Sequence, residues 1–172
     1  KKIESERLLK FRKSLELENK IVISFLGTHG LAHGLRFILD SISKIKDTKY
    51  HFLFVGDGSE KQNLLEYSKT LDSHNFTFLE SVSKNEMPLY IDISDYSLVN
   101  LKKSNEFENV IPSKIFENIA MYKPILLGVE GEAKELIEKY KVGITFEPEN
   151  TESFINAISE IEQINHENFI AN

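Results

Sequence analysis

Short apolar runs recur along the chain, separated by longer segments whose apolar positions repeat at helical spacing. Six runs read as strands: "IVISFL" at 21–26, "HFLFVG" at 51–56, "FTFL" at 76–79, "YSLVNL" at 96–101, "PILLGV" at 124–129 and "VGITF" at 142–146. The opening segment places Leu8, Phe11 and Leu15 on one helical face, as a packed helix or the tail of a linker would. After the first strand, Leu31, Leu35, Ile38, Ile42 and Ile45 form a stripe, and after the second Leu64, Ser68 and Leu71 align. Ser59 with Gln62, and Ser83 with Glu86, have capping-box spacing, and Pro88 falls where a first helical turn accepts it. A polar loop at 102–110 leads to Ser113, the expected N-cap of a helix carrying Ile115, Phe116, Ile119 and Ala120. Ala133, Leu136, Ile137 and Tyr140 mark another helix, and Phe154, Ala157, Ile158 and Ile161 a last one, before the tail "NHENFIAN", which packs or frays.

Strand and helix in alternation imply βα units and an α/β fold: a doubly wound, Rossmann-like parallel sheet of about six strands in the order 3-2-1-4-5-6. Ligands of such sheets lie at the carboxyl ends of the strands, near the switch point between the first and fourth. That singles out the loops after Leu26, Val55, Leu79 and Leu101.

Composition narrows the ligand. The chain has 172 residues, enough for one domain, with 41% hydrophobic and 28% charged residues. No run approaches the roughly 20 apolar residues of a membrane span, and the N-terminus lacks the apolar core of a signal peptide, so the cytoplasm is the default location. The net charge of -6 disfavours nucleic acid, which demands clustered Lys and Arg. Without Cys there is neither a disulfide nor a thiolate metal site.

"GTHGLAHG" at 27–34 joins a strand to a helix, where free amides and the positive helix end suit an anion and Gly27 and Gly30 allow close approach. The spacing is not G-x-G-x-x-G, and the second strand ends in Val-Gly-Asp-Gly rather than in an acidic residue placed for ribose, which disfavours a nicotinamide cofactor. His29 and His33 lie four apart but lack a companion carboxylate, so no metal is assigned. In "VGDGSEK", Lys61 falls in a first helical turn, where a cation opposes the helix dipole unless an anion is bound. "PSKIFE" repeats the pattern with Lys114, and Glu117 follows one turn on. Any one of these is equally a charged surface turn. Together, three loops with amides and cations describe a site for an extended dianion, and Glu117 suits a diol. A nucleotide diphosphate fits.

The ordered series "FLGTHGLAHGL", "FLFVGDGSEKQNL", "FTFLESVSKNEMPLYIDISDYSLV", "VIPSKIFENIAMYKPILLGVEGEAKELIE" and "VGITFEPEN" resembles the C-terminal half of a retaining GT-B glycosyltransferase of family 4, in the branch that builds O-antigens, capsules and colanic acid. The resemblance covers about residues 20–161. It implies a nucleotide-sugar-binding domain at 20–172, preceded by a linker or inter-domain helix at 1–19, with the N-terminal acceptor domain of the same polypeptide absent. Such a half need not catalyse alone, and any membrane association would come through the missing half. The implied parent reaction transfers a sugar from a donor, expected to be UDP-linked, to a lipid-linked or saccharide acceptor, without a metal or other cofactor.

Residue by residue, the resemblance places Glu117 at the second glutamate of the family's E-x7-E motif, on the ribose, and Val82 and Ser83 at the base. It places Glu108, Asn109, Val110, Ile111 and Pro112 along the donor sugar and its phosphates. The first glutamate of the motif is replaced by Asn109, and Glu108 could substitute only if the loop shifted. The family's Arg and Lys after the first strand fall at Thr28 and His33. The diphosphate is therefore expected at the amides of Gly27, Thr28, His29 and Gly30, with the His29 side chain, Lys61, Ser113 and Lys114 in support. A sugar-nucleotide 2-epimerase shares this architecture. A small receiver-like binding module is a third reading, but it would want an acidic pair after the first strand and a Lys after the fifth, where this chain has "GTHG" and "GVEGE".

Overall fold

The first strand is apolar almost throughout because helices cover both faces of the sheet, as a parallel sheet requires. The structure, a computed structural model, describes residues 2–163. After helix α1 (Lys2–Ser14) come β1 (Ile21–Leu26), α2 (Leu35–Ile42), β2 (Tyr50–Val55), α3 (Lys61–Ser68), β3 (Phe76–Leu79), α4 (Met87–Ile93) and β4 (Tyr96–Asn100). Then follow α5 (Lys114–Ala120), β5 (Ile125–Gly128), α6 (Glu132–Tyr140), β6 (Gly143–Thr145) and α7 (Thr151–Glu160). The six strands form one parallel sheet in the order β3-β2-β1-β4-β5-β6, the order that the alternation predicts. The predicted tail at 165–172 lies outside the described residues.

Side chains alternate across the pleat. Ile23, Phe25, Phe52 and Phe54 face α2 and α7, where Phe154 meets Phe52 at 5.9 Å and Phe146 at 5.1 Å between ring centroids. Val22, Leu53 and Val55 face the other way, with Ile91 of α4 and with Leu8, Phe11 and Leu15. The opening helix is thus docked on the sheet. Arg12 donates to the carboxylate of Asp95 and to the carbonyls of Leu17 and Lys20, while Asp95 also accepts from the Val22 amide at 2.7 Å. A third cluster, built on Val99, Ile115, Leu127 and Ile137, seats α5 and α6.

The local predictions are corrected at several points. The stripe from Leu31 to Ile45 is not one helix. Leu31–His33 forms a 3-10 turn, Gly34 adopts a left-handed conformation (φ 57°), and α2 begins only at Leu35, leaving Leu31 60% exposed. Ile45 is buried but follows the end of α2. Tyr140 is 52% exposed, so the buried stripe of α6 is Ala133 and Ile137. Ser59 and Gln62 do not cap α3. Glu60 occupies the N-cap position without a side-chain bond, and Gln62 donates instead to Glu66. Ser83 and Glu86 do pair, the Glu86 carboxylate accepting from the Ser83 amide at 3.1 Å and its hydroxyl at 2.7 Å.

Candidate functional site

Three loops meet at the carboxyl edge of β1, β2 and β4. The β1 and β2 loops are laced by their backbones: Gly27 donates to Val55 O at 2.8 Å, His29 to Asp57 O at 2.9 Å, and Glu60 to His29 O at 2.9 Å. The approach is close enough that a Cβ on Gly56 would stand 1.8 Å from Gly27 O, so only glycine fits there. The lacing commits the amides of Gly27 and His29 to the protein. Those of Thr28, Gly30 and Leu31 have no acceptor among the described residues and remain for a ligand. On the other side, Lys102 donates to Ala32 O at 2.8 Å, and Asn100 donates through Nδ2 to His33 O at 2.7 Å. The end of β4 therefore fixes the 3-10 turn. Sequence reasoning missed Asn100, and its one signal is an amide closing an otherwise apolar strand.

Two expected phosphate contacts are relocated. Lys61 is buried, and its Nζ donates to Gly56 O at 2.7 Å and Leu79 O at 3.0 Å and pairs with Glu80 at 2.9 Å. Burying an ammonium is costly unless its donors are satisfied, and this one is consumed in holding the β2 and β3 loops together. The conflict with the helix dipole is met by protein carbonyls rather than by a ligand. His29 is fully buried beside Phe25, Phe54 and Phe78, at 5.9, 6.5 and 5.9 Å between ring centroids, and neither ring nitrogen has a hydrogen-bond partner among the described residues. Burial, helped by Lys61 and Lys114, pushes its pKa down to about 4. It is a neutral core imidazole, and only its backbone belongs to the loop.

Lys114 stands differently. It opens α5, and its ammonium is buried without a hydrogen-bond acceptor among the described residues, 4.1 Å above the Phe25 ring centroid. Burial lowers its pKa to about 8, partly opposed by Glu117. Gly27 makes room for it: a Cβ there would lie 2.8 Å from Lys114 Cε and 2.9 Å from Nζ. His33 meets the other side of Phe25's surroundings, edge to face at 5.3 Å, with Nδ1 3.3 Å from Asn100 O. Burial and Lys114 lower its pKa, so it too is held neutral.

Ser113 occupies the N-cap of α5, but its carbonyl rather than its hydroxyl serves the helix, accepting from Phe116 and Glu117 at 3.0 and 3.3 Å. Ser113 is exposed, as is Glu117 one turn on. Val82 is half-buried, packed against the cluster that contains Val55. The loop at 108–112 is pinned. Glu132 donates to Glu108 O at 2.9 Å, and a Cβ on Gly131 would meet that oxygen at 2.0 Å. Glu108 is thereby held in its own register, and Asn109 keeps the position that the resemblance gives to a glutamate. Between this loop and β1 lies a cavity of about 250 Å³ lined by Phe25, His33, Leu101, Val110, Pro112 and Lys114. A larger surface hollow of about 650 Å³ contains Arg36, Asp40 and Tyr67, but none of the expected site residues. Among the described residues, no three His, Asp or Glu side chains are grouped to hold a metal, and no helix is long and apolar enough to cross a membrane.

Comparison with known proteins agrees with this fold. The family described as "Glycosyl transferases group 1" matches residues 6–172. The chain is 26% identical over 151 residues to WcaI of Escherichia coli (strain K12), named as a glycosyl transferase of colanic acid biosynthesis, and the match covers 86% of this chain but 37% of that protein. In fold it is similar to Anabaena HepE in complex with UDP-glucose, with a TM-score of 0.73 at 20% identity, covering 91% of this chain and 43% of HepE. It is likewise similar to the C-terminal domain of a Francisella tularensis group 1 protein, LpcC, with a TM-score of 0.70 at 14% identity over 90% of this chain and 82% of that domain.

Proposed function

The chain belongs to the group 1 glycosyl transferases, and from that premise we propose that it is the half that binds a nucleotide-sugar donor, UDP-linked, in an enzyme of cell-surface polysaccharide synthesis. The observation that carries the reading is the unsatisfied Lys114 ammonium at the switch point, beside the open amides of the β1 loop. A diphosphate would complete both, and Glu117 on the same helix is exposed to receive the ribose hydroxyls. HepE has been crystallised with UDP-glucose, which supports the choice of donor. The chain spans little more than a third of WcaI, and we assign acceptor binding, to a lipid-linked or growing saccharide, to the remainder of the parent protein.

In this reading the sugar is transferred with retention, and the leaving group is the diphosphate. Its charge rises as the glycosidic bond breaks. Lys114 and the amides of Thr28 and Gly30 stabilise that charge from fixed positions, which lowers the barrier without a nucleophile from this half. The positive charge comes from Lys114, so no metal is invoked at the phosphates. The glycosyl group points toward the 108–112 loop. Calorimetry with UDP, uridine and 2′,3′-dideoxyuridine diphosphate tests the site through Glu117→Gln. An amide offers one acceptor oxygen where the carboxylate offers two, so UDP and uridine should both weaken while the dideoxy ligand stays indifferent. Equal losses for UDP and the dideoxy ligand would remove Glu117 from the ribose.

A further inference from the structure

The Lys114 ammonium has two properties that seldom coexist: it is buried, and it has no acceptor among the described residues. It stands 4.1 Å over the Phe25 ring, beneath a glycine whose missing side chain leaves it room. A cation so placed is destabilised in the free protein and relieved by an anion. We propose that binding of a nucleoside diphosphate at this site is coupled to uptake of a proton by Lys114. The proposal rests on the diphosphate site proposed above. The free protein holds this side chain partly as the neutral amine at mildly alkaline pH, and the bound phosphate converts it to the ammonium.

The neighbours leave Lys114 as the group that responds. His29 and His33 face it from the β1 loop and are neutral, since burial and Lys114 itself lower their pKa values. Lys61 and Asp57 act on His29 from the β2 loop. Lys102 reaches the Gly34 turn from the β4 loop, and Glu117 lies on the same helix and favours the charged form of Lys114. At pH 8 an imidazole held near 4 stays neutral even when its pKa rises by several units, and the terminal phosphate, with a second pKa of about 6, is already fully ionised. The sign then follows from linkage. A pKa near 8 in the free protein, raised in the complex, means that affinity is highest below pH 8 and falls above it.

The test is calorimetry of the protein with UDP in buffers of different ionisation enthalpy. At pH 8.0 the expected uptake is about half a proton per UDP bound, and affinity should fall about fourfold between pH 7.0 and 8.5. Lys114→Arg keeps a charge that does not titrate, so binding should persist without uptake and without the pH dependence. Lys114→Met should lose both uptake and affinity. UDP binding in the wild type without proton uptake overturns the proposal, whether or not either variant folds. Uptake that survives in a folded Lys114→Arg or Lys114→Met assigns the proton elsewhere and also overturns it. Failure of UDP to bind at all instead refutes the donor site itself, and this inference falls with it.

Discussion

Lys61→Met separates a structural lysine from a ligand-binding one. The substitution keeps most of the apolar stem and removes Nζ, leaving Gly56 O and Leu79 O, previously bonded at 2.7 and 3.0 Å, without that donor in a residue only 6% exposed. The Glu80 partner is 86% exposed and contributes little. A hydrogen bond from a charged donor is worth about 1.5 to 3 kcal/mol, and the relief of no longer burying an ammonium offsets part of two such losses. A net destabilisation of about 2 to 3 kcal/mol is expected. With a urea m-value of about 2 kcal/mol/M, the unfolding midpoint should drop by about 1 to 1.5 M. UDP affinity of the folded variant, measured by calorimetry under native conditions, should stay within about threefold, since less than 1 kcal/mol of binding energy is at stake. An unchanged urea midpoint together with a tenfold loss of UDP affinity would refute the reasoning and return Lys61 to the phosphates.

Three further outcomes follow from the same geometry. Gly27→Ala places a methyl 2.8 Å from Lys114 Cε at a backbone φ of 126°, so UDP binding should weaken at least tenfold and thermal stability should fall; an affinity equal to wild type would show that Lys114 is not confined by Gly27. His51, bonded to Thr77 Oγ1 at 2.9 Å, and His29 are both held near pKa 4, chiefly by burial, against an ordinary value of 6.5. Their contribution is complete above pH 6.5 and is lost as pH falls toward 4, because the unfolded chain takes up protons that the folded one refuses; urea midpoints from pH 7 to 5 should decline, and His51→Gln should flatten the slope by nearly one proton. Arg12→Met removes the tie of α1 to Asp95 and to two carbonyls, so the urea midpoint should fall by the equivalent of about 1 to 3 kcal/mol, and a midpoint unchanged from wild type would contradict the docking.

The order of strands and helices was legible in the sequence because hydrophobic periodicity is local. "IVISFL" and "FTFL" coincide with β1 and β3, and the right-handed crossover leaves few sheet orders for six alternating units. The same logic pointed to the edge where Gly27 and Lys114 meet. It could not say which cation the fold satisfies and which it leaves without an acceptor. Lys61 and Lys114 both sit at the first helical position after a strand loop and look alike in sequence. Their difference lies in what the rest of the chain brings to each ammonium: two carbonyls and a carboxylate to Lys61, an aromatic face to Lys114. His29 was likewise invisible as a core residue, since three phenylalanines from three strands enclose it. Leu31 fitted the stripe of α2, but Lys102 and Asn100 hold the preceding turn in a 3-10 form that leaves it outside. Periodicity records which side of an element is buried; which polar atoms are left unsatisfied depends on residues far apart in sequence, and only the tertiary structure decides that.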